Sequence, residues 1–448
     1  MFVRKGLFIL LAVSLFCDAA AGESADLRVT PVVLAVRKAG PSVVNISTEQ
    51  IVERRYDPFF GFGDPLFEEF FRPFMQHMPR TSYKVHSLGS GVIISPDGYV
   101  ITNGHVILRA SKITVTLADN REFEAEVLNS SPEIDLGVMK LDSPSALPYA
   151  TLGDSSELMI GETLIAVGNP FGLENSVTTG VLSATGRSLG ASEDVVYRNL
   201  LQTTALINPG NSGGPLLNLD AEVIGLNTAM KLDAQGIGFG IPVNDIRLAL
   251  VGLLDFESVK NTSLGIGVPG DPSVAVIIES VRHGGPGAYA GIIPEDLILK
   301  VDDRPVSGVL DYEMAVLRKE VGDELVVDVD RNGEILKLKL QIGEAPPPAG
   351  AELVRRRVGA VVYPLSAYVA RRLGVPTDFG ILVHDVEADT PADSIGLKPN
   401  DVIVSWGGRS VGNVSRLASE VDRIPAGGRV VVGVLRGEYL LEALLQVK

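Results

Sequence analysis

Short apolar runs broken by glycine, proline and polar residues fill the chain from Val29 to Phe256. Val92–Ser95, Ile113–Leu117, Ala125–Leu128, Val138–Leu141, Thr163–Val167 and Val223–Asn227 are examples. Aliphatic and β-branched runs of this length, regularly spaced between turn residues, predict the strands of a sandwich or barrel. Gly91 to Val106 reads as two such strands joined by a Pro96-Asp97-Gly98 turn. Leu34 to Ala39, ahead of Pro41, predicts a short leading helix. The texture changes between Asp57 and Arg80, where Phe59, Phe60, Phe62, Phe67, Phe70, Phe71 and Phe74 crowd together. So apolar a cluster in a polar insertion predicts a contact surface, with an amphipathic helix around 66–71; the alternative is a loop packing its rings on its own domain.

Beyond residue 256 the pattern repeats. Pro286, Gly291, Pro294, Asp296, Ile298, Arg304 and Val306 recur at one fixed offset as Pro391, Gly396, Pro399, Asp401, Ile403, Arg409 and Val411. Each copy reads as a short helix, a turn marked by Gly and Pro, and a strand. Pro346-Pro347-Pro348 marks the linker between the copies.

Candidate chemistry is concentrated in Gly210-Asn211-Ser212-Gly213-Gly214-Pro215-Leu216, which sets one serine among small residues. A nucleophile must stand exposed, and amides must approach the oxygen of the carbonyl it attacks; glycines allow both. A Gly-rich turn has the same spacing, so the serine needs a base and a group to orient that base. Of the five histidines (His77, His86, His105, His283 and His384) only His105 closes an apolar strand, where a turn presents it at an edge. Asp135 opens the apolar run to Leu141 and can come to lie beneath a histidine, shielded from water. Asp119, Asp142 and Asp154 sit in turn-like surroundings. The order His105, Asp135, Ser212 is that of a chymotrypsin-type triad. Gly210–Gly214 also fits the G-x-S-x-G elbow of α/β-hydrolases, but there the serine precedes its acid and its histidine. Gly265–Gly270 fits G-x-G-x-x-G, yet Pro269 and Pro272 deny it the helix a dinucleotide site requires.

Together with Gly89-Ser90-Gly91-Val92-Ile93-Ile94, Ile101-Thr102-Asn103-Gly104-His105-Val106, Asp135-Leu136-Gly137-Val138, Gly168-Asn169-Pro170-Phe171-Gly172-Leu173 and Gly238-Phe239-Gly240-Ile241-Pro242, these motifs resemble the HtrA/Deg-type serine proteases over nearly the whole mature chain. The resemblance implies a mainly β fold. A chymotrypsin/trypsin-like double β-barrel protease domain, with the triad in the cleft between two six-stranded barrels, is followed by two PDZ-like α+β domains. It divides the chain into an export signal at 1–21, a protease domain at 22–256 with a Phe-rich regulatory loop at 57–80, a first PDZ domain at 257–344, a Pro-rich linker at 345–354 and a second PDZ domain at 355–448. It makes His105 the general base, Asp135 the orienting acid and Ser212 the nucleophile, with an oxyanion hole from the backbone N–H groups near Gly210, Asn211 and Ser212. No cofactor or metal is expected. Thr204 follows Thr203 where the family has an aspartate.

Leu206 and Ile207, leading into Ser212, bring no acid to pair with Lys or Arg. The other pocket walls are expected from Asn227, Thr228, Ala229, Ile237, Gly238 and Phe239. Cleavage after small or medium aliphatic residues is therefore expected. By resemblance, Phe59 and Phe60 belong to a loop that blocks neighbouring active sites in a resting homo-oligomer, a trimer or trimer multiple. Arg187 is the candidate relay of an activating peptide. The PDZ resemblance places carboxylate nests at Leu264-Gly265-Ile266-Gly267 and Val358-Gly359-Ala360-Val361, for the C-termini of misfolded or unfolded substrates. Ala367 to Leu373, read as helical, has no counterpart in the first copy. The function implied is ATP-independent endoproteolysis in quality control of exported proteins; the alternative is a chaperone or peptide-binding scaffold with little proteolysis.

A net charge of −16 and the lack of a basic cluster argue against a nucleic-acid partner. Arg4 and Lys5, the apolar run Leu7–Phe16 and Ala19-Ala20-Ala21 read as a cleaved export signal to the periplasm; an uncleaved anchor is the alternative. The single cysteine, Cys17, precedes the expected cut, so no disulfide is expected in the mature chain; Leu7–Phe16 is short for a membrane span, and no other apolar run approaches that length.

Overall fold

The computed structural model describes residues 28–50, 85–107, 110, 112–169, 176–190, 196–208, 210–230, 236–375 and 379–448. The expected export signal and the Phe-rich segment, with Phe59 and Phe60, lie outside them.

Strands β1 (Val43–Gln50), β2 (Val85–Ile93), β3 (Tyr99–Thr102), β4 (Lys112–Thr116), β5 (Glu122–Ser131) and β6 (Leu136–Leu141) close a barrel in the order β1-β2-β3-β6-β5-β4. Strands β7 (Thr163–Gly168), β8 (Ser176–Gly190), β9 (Val196–Thr203), β10 (Pro215–Leu217), β11 (Val223–Met230) and β12 (Gly238–Pro242) close a second, ordered β10-β11-β12-β9-β8-β7. Alternation of side chains along each strand builds two cores at once. Val44, Ile46, Ile93, Val100, Val115 and Met139 fill the first barrel. Their strand neighbours Val43, Val92, Ile101 and Val138 belong instead to a core shared with Ile165, Val167, Leu217, Leu226 and Ile241 of the second barrel. Each such aliphatic contributes about 1.5–3 kcal/mol by leaving water. This shared core fixes how the barrels face one another.

The leading helix spans Pro31–Ala39. It starts ahead of the expected Leu34 because Thr30 caps it, accepting from the Val33 amide, and Pro31 fits its first position. At the other end, helix Val243–Leu253 and helix Phe256–Lys260 lead into the first module. Leu250, Leu254, Phe256 and Val259 join the inter-barrel core to Tyr312, Val316, Leu325 and Val327 of that module. The Tyr99 hydroxyl donates to the Met314 carbonyl at 2.9 Å, and Asp97 pairs with Arg304. The module is thus docked on the first barrel.

Its sheet runs Arg304–Pro305, Leu297–Val301, Glu324–Arg331, Glu334–Gln341. The second module's main sheet runs Ala360–Pro364, Ile381–Val386, Val402–Trp406, Arg429–Arg436, Tyr439–Gln446. The two share a buried device. The Arg331 Nε and Nη2 each donate to the Asp296 carboxylate at 2.7 Å, and Arg436 makes the same pair of bonds to Asp401 at 2.7 Å. Each arginine also reaches the carbonyl of the turn glycine, Gly291 or Gly396. A buried carboxylate is stable only when paired this way. The second module contacts what precedes it through the Ser366 hydroxyl on the Val259 carbonyl, at 2.7 Å, and Arg371 on the Ala110 carbonyl, at 3.1 Å. Ala367–Arg372 is helical. Part of the expected 345–354 linker is not linker-like: residues 351–354 begin a helix, Ala351–Val358, whose Ala351, Val354 and Val358 are buried.

Glu313 sits at the junction of barrels and first module, 4% exposed, and accepts from the Phe256 amide at 3.0 Å. Burial raises its carboxyl to about 8, against the pull of that hydrogen bond and helped by Asp255 and Glu257.

Two outcomes follow for stability. Arg331→Met leaves the Asp296 carboxylate with the Ile293 amide but no cation, and denaturant titration should show a lower midpoint than for the parent. At a pH below the ordinary carboxylate range, folded and unfolded chains both hold the Glu313 proton. Between that range and about pH 8 only the folded chain does, so this group's contribution to stability falls as pH rises. Glu313→Gln, which can still accept from Phe256, should show a Tm advantage over the parent that widens from pH 5 to pH 8.

Candidate active site

β3 ends at Thr102, and one helical turn, Gly104–Ile107, then carries His105. The histidine therefore sits in a turn of helix just past the strand rather than closing it. β3 pairs with β6 through Thr102 and Gly137, which sets Asp135 beside that turn. Asp135 has a φ of 54°, a left-handed conformation that aspartate tolerates better than most residues. Its carbonyl accepts from the Gly104 amide at 3.0 Å and the Asn103 side-chain amide at 3.2 Å.

The carboxylate of Asp135 gathers three donors. The His105 backbone amide reaches Oδ1 at 2.9 Å, the ring Nδ1 lies 2.7 Å from Oδ2, and the Thr228 hydroxyl donates to Oδ2 at 2.9 Å. A carboxylate facing Nδ1 keeps the ring proton there and leaves Nε2 as an acceptor. Nε2 lies 3.1 Å from the Ser212 hydroxyl. That hydroxyl has two more acceptors in reach, Asn103 Oδ1 at 2.7 Å and the Thr228 carbonyl at 3.2 Å. Asn103 and the hydroxyl of Thr228 are thus part of the constellation. Asn103 was legible only as a neighbour of His105 in the Thr102-Asn103-Gly104-His105 run.

Contrary to the exposed serine expected of a nucleophile, Ser212 is 1% exposed, with His105 at 7% and Asp135 at 4%. Its loop is pinned by Ser90. The Ser90 amide donates to the Ser212 carbonyl, the Ser90 hydroxyl donates to the Gly210 carbonyl and accepts from the Asn169 amide, and Thr102 donates to the Ser90 carbonyl. Nothing in the sequence singled out Ser90 for this role. Gly213 has a φ of 80°, and a Cβ there would collide with Thr102 and the Ser90 carbonyl.

Of the three residues expected to supply oxyanion donors, Asn211 is corrected. Its amide is spent on the Asn208 carbonyl at 3.0 Å, while among the described residues the Gly210 and Ser212 amides have no acceptor. The pocket list divides as well. Asn227 is fully buried and donates from its side-chain amide to the carbonyls of Val167, Asn211 and Pro215, so it braces the serine loop instead of lining a pocket. Thr228 serves Asp135. Ile207 and Phe239 are buried, Ile237 is half-buried, Gly238 lies against Ile207, and Leu206 is 51% exposed. Ala229 pairs with Phe239 across β11 and β12. Arg187, on β8, meets Gln202 at 3.0 Å.

In the first module Leu264 is buried, and the Gly265 amide donates to the Ser263 hydroxyl at 2.9 Å. Ile266 and Gly267 pair with Val281 and Ser280. In the second, the Gly359 amide is not available to a nest, because it caps helix Ala351–Val358 by donating to the Arg355 carbonyl at 2.8 Å. Ala360 and Val361 begin the strand that follows.

Residues 89–226 match the trypsin-like peptidase domain family, and residues 253–342 and 357–447 each match the PDZ domain family. The chain is 35% identical over 406 residues to a probable periplasmic serine endoprotease DegP-like of Chlamydia muridarum, covering 87% of this chain and 81% of that protein. It is 34% identical over 437 residues to the protein of the same description in Ectopseudomonas mendocina, covering 90% of each. A solved HtrA-type protease, AlgW with decapeptide, is 33% identical and covers 71% of this chain and 99% of its own, with a TM-score of 0.40. No helix among the described residues is long and apolar enough to cross a membrane. With a double barrel and two PDZ modules in one chain, and identity sustained over most of its length, this chain belongs to the DegP-like family of serine endoproteases.

Proposed function

We propose that the chain is an ATP-independent protease of the periplasm that degrades misfolded exported proteins, with Ser212 as nucleophile, His105 as general base and Asp135 as the acid that orients it. The reading is carried by one relay: Ser212 Oγ lies 3.1 Å from His105 Nε2, and His105 Nδ1 lies 2.7 Å from Asp135. Ser212 passes its proton to Nε2 as Oγ bonds to the substrate carbonyl carbon. The proton then goes to the leaving amine, and water repeats the sequence to free the acyl group. The Gly210 and Ser212 amides serve the oxyanion. Before attack, the serine proton must leave Asn103 Oδ1 for Nε2, a rotation of the hydroxyl about the Cβ–Oγ bond of Ser212.

An apolar pocket built on Ile207, Ile237 and Phe239 favours small or medium aliphatic residues before the cleaved bond. The PDZ modules are read as tethers for substrate C-termini, raising the local concentration of chain at the cleft. The family supports a homo-oligomer, with the segment at 57–80 as its regulator, and an export signal at 1–21 is consistent with relatives named periplasmic.

A fluorophosphonate probe should label Ser212 in the parent chain and nothing in Ser212→Ala, which should not cleave casein. Peptide mapping of the casein digest should place most cuts after Val, Ala or Ile; a preference for Lys or Arg overturns the pocket assignment. Thr228→Val keeps the β-branched shape and the carbonyl on Ser212 but removes a hydrogen bond to Asp135. Its kcat should fall about tenfold with KM little changed, the kinetic equivalent of one hydrogen bond to a charged group.

A further inference from the structure

Helix Ala351–Val358 starts ahead of the second PDZ module: the family match begins at residue 357. It nevertheless packs between that module's edge strand and its long helix. The course of the chain can be followed contact by contact. Ala345 accepts from the Tyr363 hydroxyl at 3.0 Å, at the far end of strand Ala360–Pro364. Ala349 accepts from Ser415, and Gly350 lies against Ala418, both on helix Val414–Asp422. Arg357 donates to the carbonyls of Val421, Asp422 and Ile424 at the end of the same helix. The segment therefore runs antiparallel to the edge strand and parallel to the helix. Ala351, Val354 and Val358 are buried in one cluster with Val362, Val414, Leu417, Ala418 and Val421.

A PDZ domain takes its ligand antiparallel to an exposed edge strand and receives the last residue in the loop ahead of that strand. Residues 345–358 run in that direction, as a helix over Ala351–Val358 rather than as an added strand, and end with apolar Val358 at that loop. Gly359 makes the turn, with a φ of 84° and no room for a Cβ against Thr390. The first module is built differently, since its helix Val309–Val316 packs on helix Val243–Leu253 of the protease domain.

We propose that residues 345–358 are the built-in occupant of the second module's groove and close it to C-terminal peptides from other chains. The proposal rests on reading the modules as peptide binders, and the test separates the two. The probe is a synthetic decapeptide of residues 349–358 with a free carboxylate, added to the full chain carrying Ser212→Ala and followed by hydrogen exchange. With the native segment in place, residues 360–364 and 414–422 should show no added protection. Val354→Asp, or the milder Arg357→Gln if the first disturbs the fold, should loosen the segment. Binding should then tighten at least tenfold, with protection appearing at both stretches, while strand Val402–Trp406 reports that the module stays folded. Protection of 360–364 without any loosening variant overturns the proposal, as does a folded, loosened variant that gains none. If 264–267 is protected by the probe in that second case, peptide recognition by the first module survives; if no region responds, it falls as well. Casein cleavage by the parent chain tests the protease reading independently.

Discussion

The Asp135 carboxylate is the fixed point of this molecule's chemistry. It is buried, and an ionised group is stable there only if its oxygens are occupied by donors. Two donors come from His105, which follows β3 in the first barrel; the third, the Thr228 hydroxyl, comes from β11 in the second. Satisfying one charge therefore requires both barrels in register. The same requirement is met on the other side of the site, where Ser90 of β2 holds the Ser212 loop that leads into β10. The apolar seam of Val43, Val92, Ile101 and Val138 against Ile165, Val167 and Leu226 supplies the binding energy, while the polar bonds set the geometry.

Much of this could be read from the chain. The strand pattern announces a barrel architecture, and the order of histidine, aspartate and serine is informative because few folds share it. What escaped has a physical cause. β11 carries a register irregularity between Asn227 and Ala229, so simple alternation misjudges where Asn227 and Thr228 point. Ser90 acts across a long sequence separation, and its partners at Gly210, Ser212 and Asn169 are backbone groups any residue possesses. Asn211 looked like a donor because it adjoins the serine, but its amide turns back to Asn208. The three prolines at 346–348 suggested an extended connector and drew attention from Ala351, Val354 and Val358, whose spacing marks one face of a helix.

The duplicated modules show which part of a repeat is constrained. Asp296 and Asp401 stood out by their fixed offset, and the partners Arg331 and Arg436 lie at the same offset on a later strand. Each pair ties a glycine turn to a central strand, which explains why both survive while the loops and leading helices of the two copies diverge.

The first module is tied to the catalytic barrel by a side chain of β3. Tyr99 is on the strand that delivers the imidazole, and its hydroxyl is bonded to a carbonyl in the module's helix Val309–Val316. That helix cannot swing free without withdrawing an acceptor from a buried phenol. The module is less a hand on a leash than a splint, stiffening the very strand whose end must stay still for the proton to move.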